Sequence, residues 1–161
     1  MIRHRIRQFR EAALAPSPDD LALAGAHLDG ELLRLFQTQH PRDIRHSART
    51  ARWLLERGHS GRDIILAALL HDVGKGAQRR RDRVAHVLGG VTGIGNRLAD
   101  PRSRFEVRRA VYRSLQHSEA GSRLVAEAGA PARVTALTRL HHAPAAGDPV
   151  LALLQQADAA N

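Results

Sequence analysis

Apolar side chains recur every three or four positions along most of the chain, which is the spacing of one face of an α-helix. In residues 41–57, for example, one such stripe contains Ile44, Ala48, Ala51 and Leu55. This segment begins with a proline, which is favoured in a first helical turn, and a glycine that can end a helix follows it. No stretch alternates apolar and polar residues as a half-buried strand does. The sequence therefore predicts an all-α fold.

The same spacing predicts further helices over residues 2–14, 19–36, 61–70, 103–117, 118–129 and 131–142 and from residue 150 onward. The helix of residues 19–36 is expected to turn Leu21, Leu28, Leu32 and Leu35 inward. Residues 76–102 are rich in arginine and glycine and are expected to form a lid of short helices and a loop. We expect residues 1–40 to be a helical extension packed on a domain of residues 41–161.

Residues 64–70 are apolar at every position, which is typical of a helix buried on all sides. This segment runs directly into His71, Asp72, Gly74 and Lys75, and Gly74 is expected to end the helix. A bare charge at the inner end of a buried helix is costly, so a partner must compensate it. Two kinds of partner are possible on this evidence. One is a divalent metal ion bound by His71 and Asp72, and the other is a hydrogen bond within the His–Asp pair.

Further histidines and one aspartate fall on inward helix faces or near predicted helix ends: His46, His117, His141, His142 and Asp158. Asp158 follows Leu151 by seven positions and Leu154 by four, which places its carboxylate on a buried stripe where it needs a partner. Several histidines on separate helices together with two aspartates predict a metal centre. The other histidines, such as His59, lie in polar contexts and are expected at the surface.

Composition limits the possible classes of protein. A chain of 161 residues is expected to form one domain, and the absence of cysteine excludes disulfides and thiolate chemistry. No apolar run approaches the length of a membrane span and no signal-peptide core follows the first residues, so the cytoplasm is the expected compartment. The formal charge of +9 favours anionic partners such as nucleotides.

Two basic segments, residues 2–14 and 79–81, are expected to be solvated surfaces, with contact to nucleic acid or an acidic membrane as the alternative. Arginine supplies almost all of the positive charge, and Lys75 is the only lysine in the sequence. A compact ammonium group kept at this one position indicates a role that a guanidinium would not fill.

The order of these residues resembles that of the HD-domain metal-dependent phosphohydrolases over roughly residues 40–161. His46, the pair His71-Asp72 and Asp158 match the histidine, the His–Asp pair and the final aspartate of that family. The run from His71 to Lys75 is similar to the His-Asp-Ile-Gly-Lys motif of the HDIG and HD-GYP-like branch. That branch also has a later histidine and a double histidine, which His117 and the pair His141-His142 match.

The resemblance implies a compact, single-domain helical bundle of the HD-domain type that holds two divalent metal ions. One ion would be bound by His46, His71, Asp72 and Asp158. The other would be bound by Asp72, His117 and His141, with His142 as a further ligand or a substrate contact. Mixed imidazole and carboxylate ligands suit iron or manganese, with magnesium, nickel, cobalt and zinc as alternatives.

The implied activity is hydrolysis of a phosphoester in a nucleotide, a cyclic dinucleotide or another small phosphate by a hydroxide that two metal ions activate. Asp72 and Lys75 are the implied catalytic residues. The Gly-Tyr-Pro run of HD-GYP proteins is missing after His142, which argues against cyclic di-GMP. Arg42 stands where members with three metals have glutamate, which favours two ions. A diiron oxygenase of the HD fold and a non-catalytic module that binds metal or nucleotide remain alternatives.

Overall fold

The structure, a computed structural model, describes residues 15–76, 102, 104 and 106–161. Within these residues the chain forms seven α-helices, one 3₁₀ helix and no strand, which confirms the all-α prediction. The α-helices are α1 (Pro18–His27), α2 (Gly30–Gln37), α3 (Pro41–Glu56), α4 (Arg62–Leu70), α5 (Glu106–Glu127), α6 (Ala132–Leu140) and α7 (Pro149–Ala159). The 3₁₀ helix, Val73–Lys75, follows α4.

Helix α4 lies at the centre of the bundle. All residues from Ile64 to Leu70 are buried, as the sequence predicts. Helices α1, α3, α6 and α7 pack against α4, while α5 packs against α6 and the 3₁₀ helix. Burial of a leucine or isoleucine side chain stabilises the fold by roughly 1.5–3 kcal/mol. The end of α4 is therefore a fixed point on which the other helices converge.

The prediction of a single helix over residues 19–36 is wrong. Leu28 is extended, with φ −113° and ψ 141°, and separates α1 from α2. Asp29 then occupies the position before α2, where aspartate is common, although its side chain makes no cap hydrogen bond here. The break changes which residues of α1 face inward, so Leu21 is 45% exposed whereas Asp20 is buried. Asp20 accepts a hydrogen bond from Arg52 of α3 at 3.0 Å, which fixes α1 against the bundle.

The prediction of two helices over residues 103–129 is also wrong. Helix α5 runs without interruption from Glu106 to Glu127, and the predicted start at Ser118 lies inside it. The expected N-terminal cap, Ser103, lies outside the described residues. The C-terminal end agrees with the sequence, since Gly129 adopts φ +85° and the Ala130 amide donates to the Val125 carbonyl at 2.9 Å. This is the glycine-ended helix terminus that the pattern predicts.

Asp148 joins the starts of α6 and α7. Its Oδ1 accepts hydrogen bonds from the amides of Val150 and Leu151, each at 3.1 Å, and from the Arg133 guanidinium at 2.6 Å. The hydrogen bond from Arg133 and the bonds from these amides lower the pKa of Asp148 to about 2. The carboxylate thus holds the first turn of the helix that carries Asp158.

We expect Asp148→Ala to lower the melting temperature at neutral pH, because α7 loses its cap and its tie to Arg133. The folded-state pKa lies below the ordinary value of 3.8, so the carboxylate stabilises the fold above about pH 4 and this contribution is lost as the pH falls toward 2. The melting difference from wild type should therefore shrink between about pH 6 and about pH 3. Asp29→Ala is the matched control, because the Asp29 side chain makes no cap bond. A difference at Asp148 that stays constant with pH would contradict this role.

Helices in the described ranges all lack the combination of length and apolar character that crossing a membrane requires. The predicted basic helix of residues 2–14 and the arginine run of residues 79–81 lie outside the described residues. So does the predicted lid, except for its ends.

Candidate metal centre

Two histidines at the ends of two helices are oriented by the same kind of local hydrogen bond. His71 follows the last residue of α4, and its Nδ1–H donates to the Ala68 carbonyl at 3.0 Å. His141 follows the last residue of α6, and its Nδ1–H donates to the Thr138 carbonyl at 2.6 Å. Each bond uses a helix-end carbonyl that lacks an intrahelical partner. Because Nδ1 carries the proton, Nε2 of each neutral ring keeps a lone pair that can bind a cation.

The carboxylate of Asp72 stands between two groups of imidazoles. Its Oδ2 lies 3.5 Å from His71 Nε2, 3.9 Å from His46 Nε2 and 2.5 Å from Lys75 Nζ. Its Oδ1 lies 3.6 Å from His117 Nε2 and 3.8 Å from His141 Nε2. The two oxygens of one buried side chain thus face two different sets of ring nitrogens.

The first cluster, formed by helices α3, α4 and α7, consists of His46, His71, Asp72 and Asp158. Asp158 Oδ1 lies 2.7 Å from His46 Nε2 and 3.5 Å from His71 Nε2. One potential ligand atom from each of His46, His71 and Asp72 lies within 4.8 Å of the other two, which is compatible with a shared metal ion. This cluster offers two imidazoles and two carboxylates.

The second cluster consists of His117 from α5 and the pair His141-His142 after α6. His117 Nε2 lies 3.3 Å from His141 Nε2 and 3.2 Å from His142 Nε2. Metal bonds of about 2.1 Å place neighbouring ligand atoms about 3 Å apart, which these separations match. His117 and His141 are buried, whereas His142 is exposed. The second cluster therefore lies at the edge of the buried centre, within reach of solvent.

Two buried atoms at the centre lack a hydrogen-bond partner among the described residues: His71 Nε2 and Asp72 Oδ1. A buried polar atom without a partner costs about 1–3 kcal/mol. Both atoms belong to groups that bind metals, and both point at other potential ligands. The donor set and its unsatisfied atoms fit divalent cations, which would supply the missing partners.

The ionisation of the carboxylates also suits cation binding. Burial acts to raise the pKa of Asp72, but its electrostatic interactions with His71, Lys75 and His46 outweigh burial and hold the pKa well below its usual range. Burial likewise opposes ionisation of Asp158, but the hydrogen bond from His46 and the electrostatic attraction of His71 lower its pKa. Both side chains are therefore anionic at neutral pH.

The pKa of His71 in the first cluster and the pKa values of His141 and His142 in the second shift in opposite directions. Burial is the largest influence on His141, and with the repulsion of His71 and His142 it lowers the pKa to about 3. The residue His142 is exposed, but its ring nitrogen faces His117, and this partial burial lowers its pKa as well. For His71 burial acts in the same direction, but the charges of Asp72 and Asp158 outweigh it and raise the pKa. The pair His141-His142 therefore presents neutral rings at neutral pH, as metal binding requires.

The prediction that Gly74 ends helix α4 is wrong. Helix α4 ends at Leu70, so Gly74 does not end it and lies instead inside the 3₁₀ helix. A Cβ atom at Gly74 would lie 1.9 Å from the His117 carbonyl oxygen and 2.5 Å from the Gly121 amide nitrogen. The backbones of the 3₁₀ helix and α5 thus touch directly, which brings His117 to Asp72. A glycine inside a helical pattern, as at Gly121, is the signal in the sequence for such a contact.

All the residues that the sequence singles out converge on this centre: His46, His71, Asp72, Lys75, His117, His141, His142 and Asp158. His117 lies in the interior of α5 and not near a helix end as expected. His59, expected at the surface, is exposed.

The fold and the site define an all-helical protein with a buried histidine–aspartate centre that could hold divalent metal. Residues 43–160 match the family model of the HD domain, and the chain belongs to the HD-domain family. No curated protein and no solved structure shows significant similarity to the chain. Membership places the protein in a superfamily of metal-dependent phosphohydrolases.

Proposed function

We propose that this protein is a phosphohydrolase of the HDIG and HD-GYP-like branch that uses two divalent metal ions to hydrolyse a small phosphoester. The observation that carries the proposal is the position of Asp72, whose two oxygens face two separate clusters of potential ligands. The order of His71, Asp72, Gly74 and Lys75 and the later histidines support the branch.

In this proposal His46, His71, Asp72 and Asp158 would hold the first ion. Asp72, His117 and His141 would hold the second ion, with His142 as a further ligand or a substrate contact. Nitrogen and oxygen ligands without sulfur favour iron or manganese, and leave magnesium, nickel, cobalt and zinc open. When bound, such a pair of ions lowers the pKa of water and offsets the charge that develops on phosphate oxygens.

The side chains of the chain bind and orient the substrate. Lys75 reaches Asp72 from the 3₁₀ helix and is partly exposed, so its ammonium group can turn to a phosphate oxygen that arrives from solvent. His142 is the exposed member of the second cluster and is a further group that can contact the substrate. Burial of Asp72 and His71 keeps bulk water from the inner side of the centre and strengthens its charge interactions. The formal charge of +9 favours an anionic, nucleotide-like substrate.

Removal and return of metal tests this function. We expect chelator-treated protein to lose more than about nine-tenths of its hydrolysis of bis(p-nitrophenyl) phosphate, because a catalytic metal contributes several kcal/mol. Mn²⁺ or Fe²⁺ should restore activity with two ions bound per chain, and nucleotides and cyclic dinucleotides should then be screened for the natural substrate class. Oxygen consumption by the iron form without phosphate release would favour an oxygenase. Tight nucleotide binding without turnover would favour a regulatory module.

A further inference from the structure

Gln155 links the two clusters although it belongs to neither. It lies on α7, three residues before Asp158, so the two side chains share one side of the helix. Its Nε2 donates to the His141 carbonyl at 3.1 Å and to the Ala143 carbonyl at 2.6 Å. Both carbonyls belong to the turn that follows α6 and carries the double histidine.

The amide of Gln155 suits this position because its NH₂ group has two donors and the turn offers two acceptors. Within the turn, the Ala143 amide donates to the Leu140 carbonyl at 2.7 Å. That bond closes the turn on its own helix but does not fix it relative to α7. Gln155 supplies this second tie, which sets the direction in which His141 and His142 leave the turn.

We propose that Gln155 is a positioning residue for the second metal ion. By holding the turn of residues 141–143 against α7, it keeps the Nε2 atoms of His141 and His142 near that of His117. It also couples the second cluster to the first, since α7 carries Asp158 one turn further on. The inference rests on the proposed two-ion centre and names a determinant of its second site. Removal of such an outer partner of a metal ligand weakens binding by about 10- to 100-fold.

The test is a titration of the full chain with Mn²⁺, in which binding is measured by calorimetry and by electron paramagnetic resonance. Wild type should bind two ions and give the signal of a coupled Mn²⁺ pair. In Gln155→Met, which keeps the length of the side chain but has no donor, the second ion should bind about 10- to 100-fold more weakly. Uncoupled Mn²⁺ should then dominate at one equivalent of metal. Gln155→Glu, which can only accept hydrogen bonds when ionised, should behave in the same way.

Gln156→Met is the matched control, because Gln156 is the neighbouring glutamine and is exposed; it should match wild type. Unchanged affinity for the first ion reports that the variants are folded, since that site needs α3, α4 and α7 in place. Two outcomes in Gln155→Met would overturn the positioning role but not the two-ion centre. One is an equal loss of affinity for both ions, and the other is binding of two ions with wild-type affinity. A wild-type protein that binds fewer than two ions overturns the two-ion centre and the positioning role with it.

Discussion

We expect Asp72→Asn to lose both metal ions and to lower phosphoester hydrolysis by at least about 1000-fold. The substitution keeps the shape of the side chain but removes the negative charge that faces both clusters. A catalytic metal pair lowers the activation barrier by several kcal/mol, and each 1.4 kcal/mol or so corresponds to a factor of ten in rate. The measurement is the metal content per chain by elemental analysis, with the hydrolysis rate on the same samples.

Asp29→Asn is the matched control for this change, because Asp29 is exposed and lies outside the centre. It should keep both ions and full activity. Circular dichroism should show equal helix content in the two variants. An Asp72→Asn protein that still holds two ions would show that Asp72 does not bridge them.

The second large effect is expected for Gly74→Ala. The added Cβ would meet the backbone of His117 and Gly121, which cannot rotate away as a side chain can. Helix α5 must therefore shift, and overpacking of this kind costs about 3 kcal/mol or more. For a chain of this size that corresponds to a fall in melting temperature of roughly 6–12 °C. The shift also moves His117 away from Asp72, so binding of the second ion should weaken.

Two other glycines calibrate this experiment. At Gly121 a Cβ would approach the Gly74 amide nitrogen at 3.1 Å, so Gly121→Ala should destabilise the protein less than Gly74→Ala does. At Gly25, inside α1, a Cβ would meet nothing within 4 Å. Gly25→Ala should therefore be neutral or stabilising by about 0.5–1 kcal/mol. Equal melting temperatures for wild type and Gly74→Ala would contradict the close backbone contact.

The parts of the fold that local patterns determine could be predicted from the sequence. The unbroken apolar run from Ile64 to Leu70 predicts a helix buried on all sides, and α4 is such a helix. Pro41 predicts the start of α3, and Gly129 the end of α5. The proximity of the histidines and aspartates could also be inferred, because several buried polar groups need common partners.

The parts of the fold that depend on contacts between distant residues could not be predicted from the sequence. Leu28 is extended although the spacing of the leucines continues across it, so that spacing alone does not show the break. Ser118 is a good helix start in isolation, yet α5 continues through it so that Gly121 can lie against Gly74. The tie between Gln155 and the turn after α6 joins residues 12 and 14 positions apart and has no signature in the sequence. The division into residues 1–40 and 41–161 stays a prediction.

Anomalous diffraction from crystals soaked in Mn²⁺ tests the central claim most directly, because it locates each ion relative to Asp72. We predict two peaks about 3.5–4 Å apart, the usual separation in two-metal hydrolases, one on each side of the Asp72 carboxylate. The first should lie among His46, His71 and Asp158, and the second among His117, His141 and His142. A single peak, or peaks remote from Asp72, would contradict the claim.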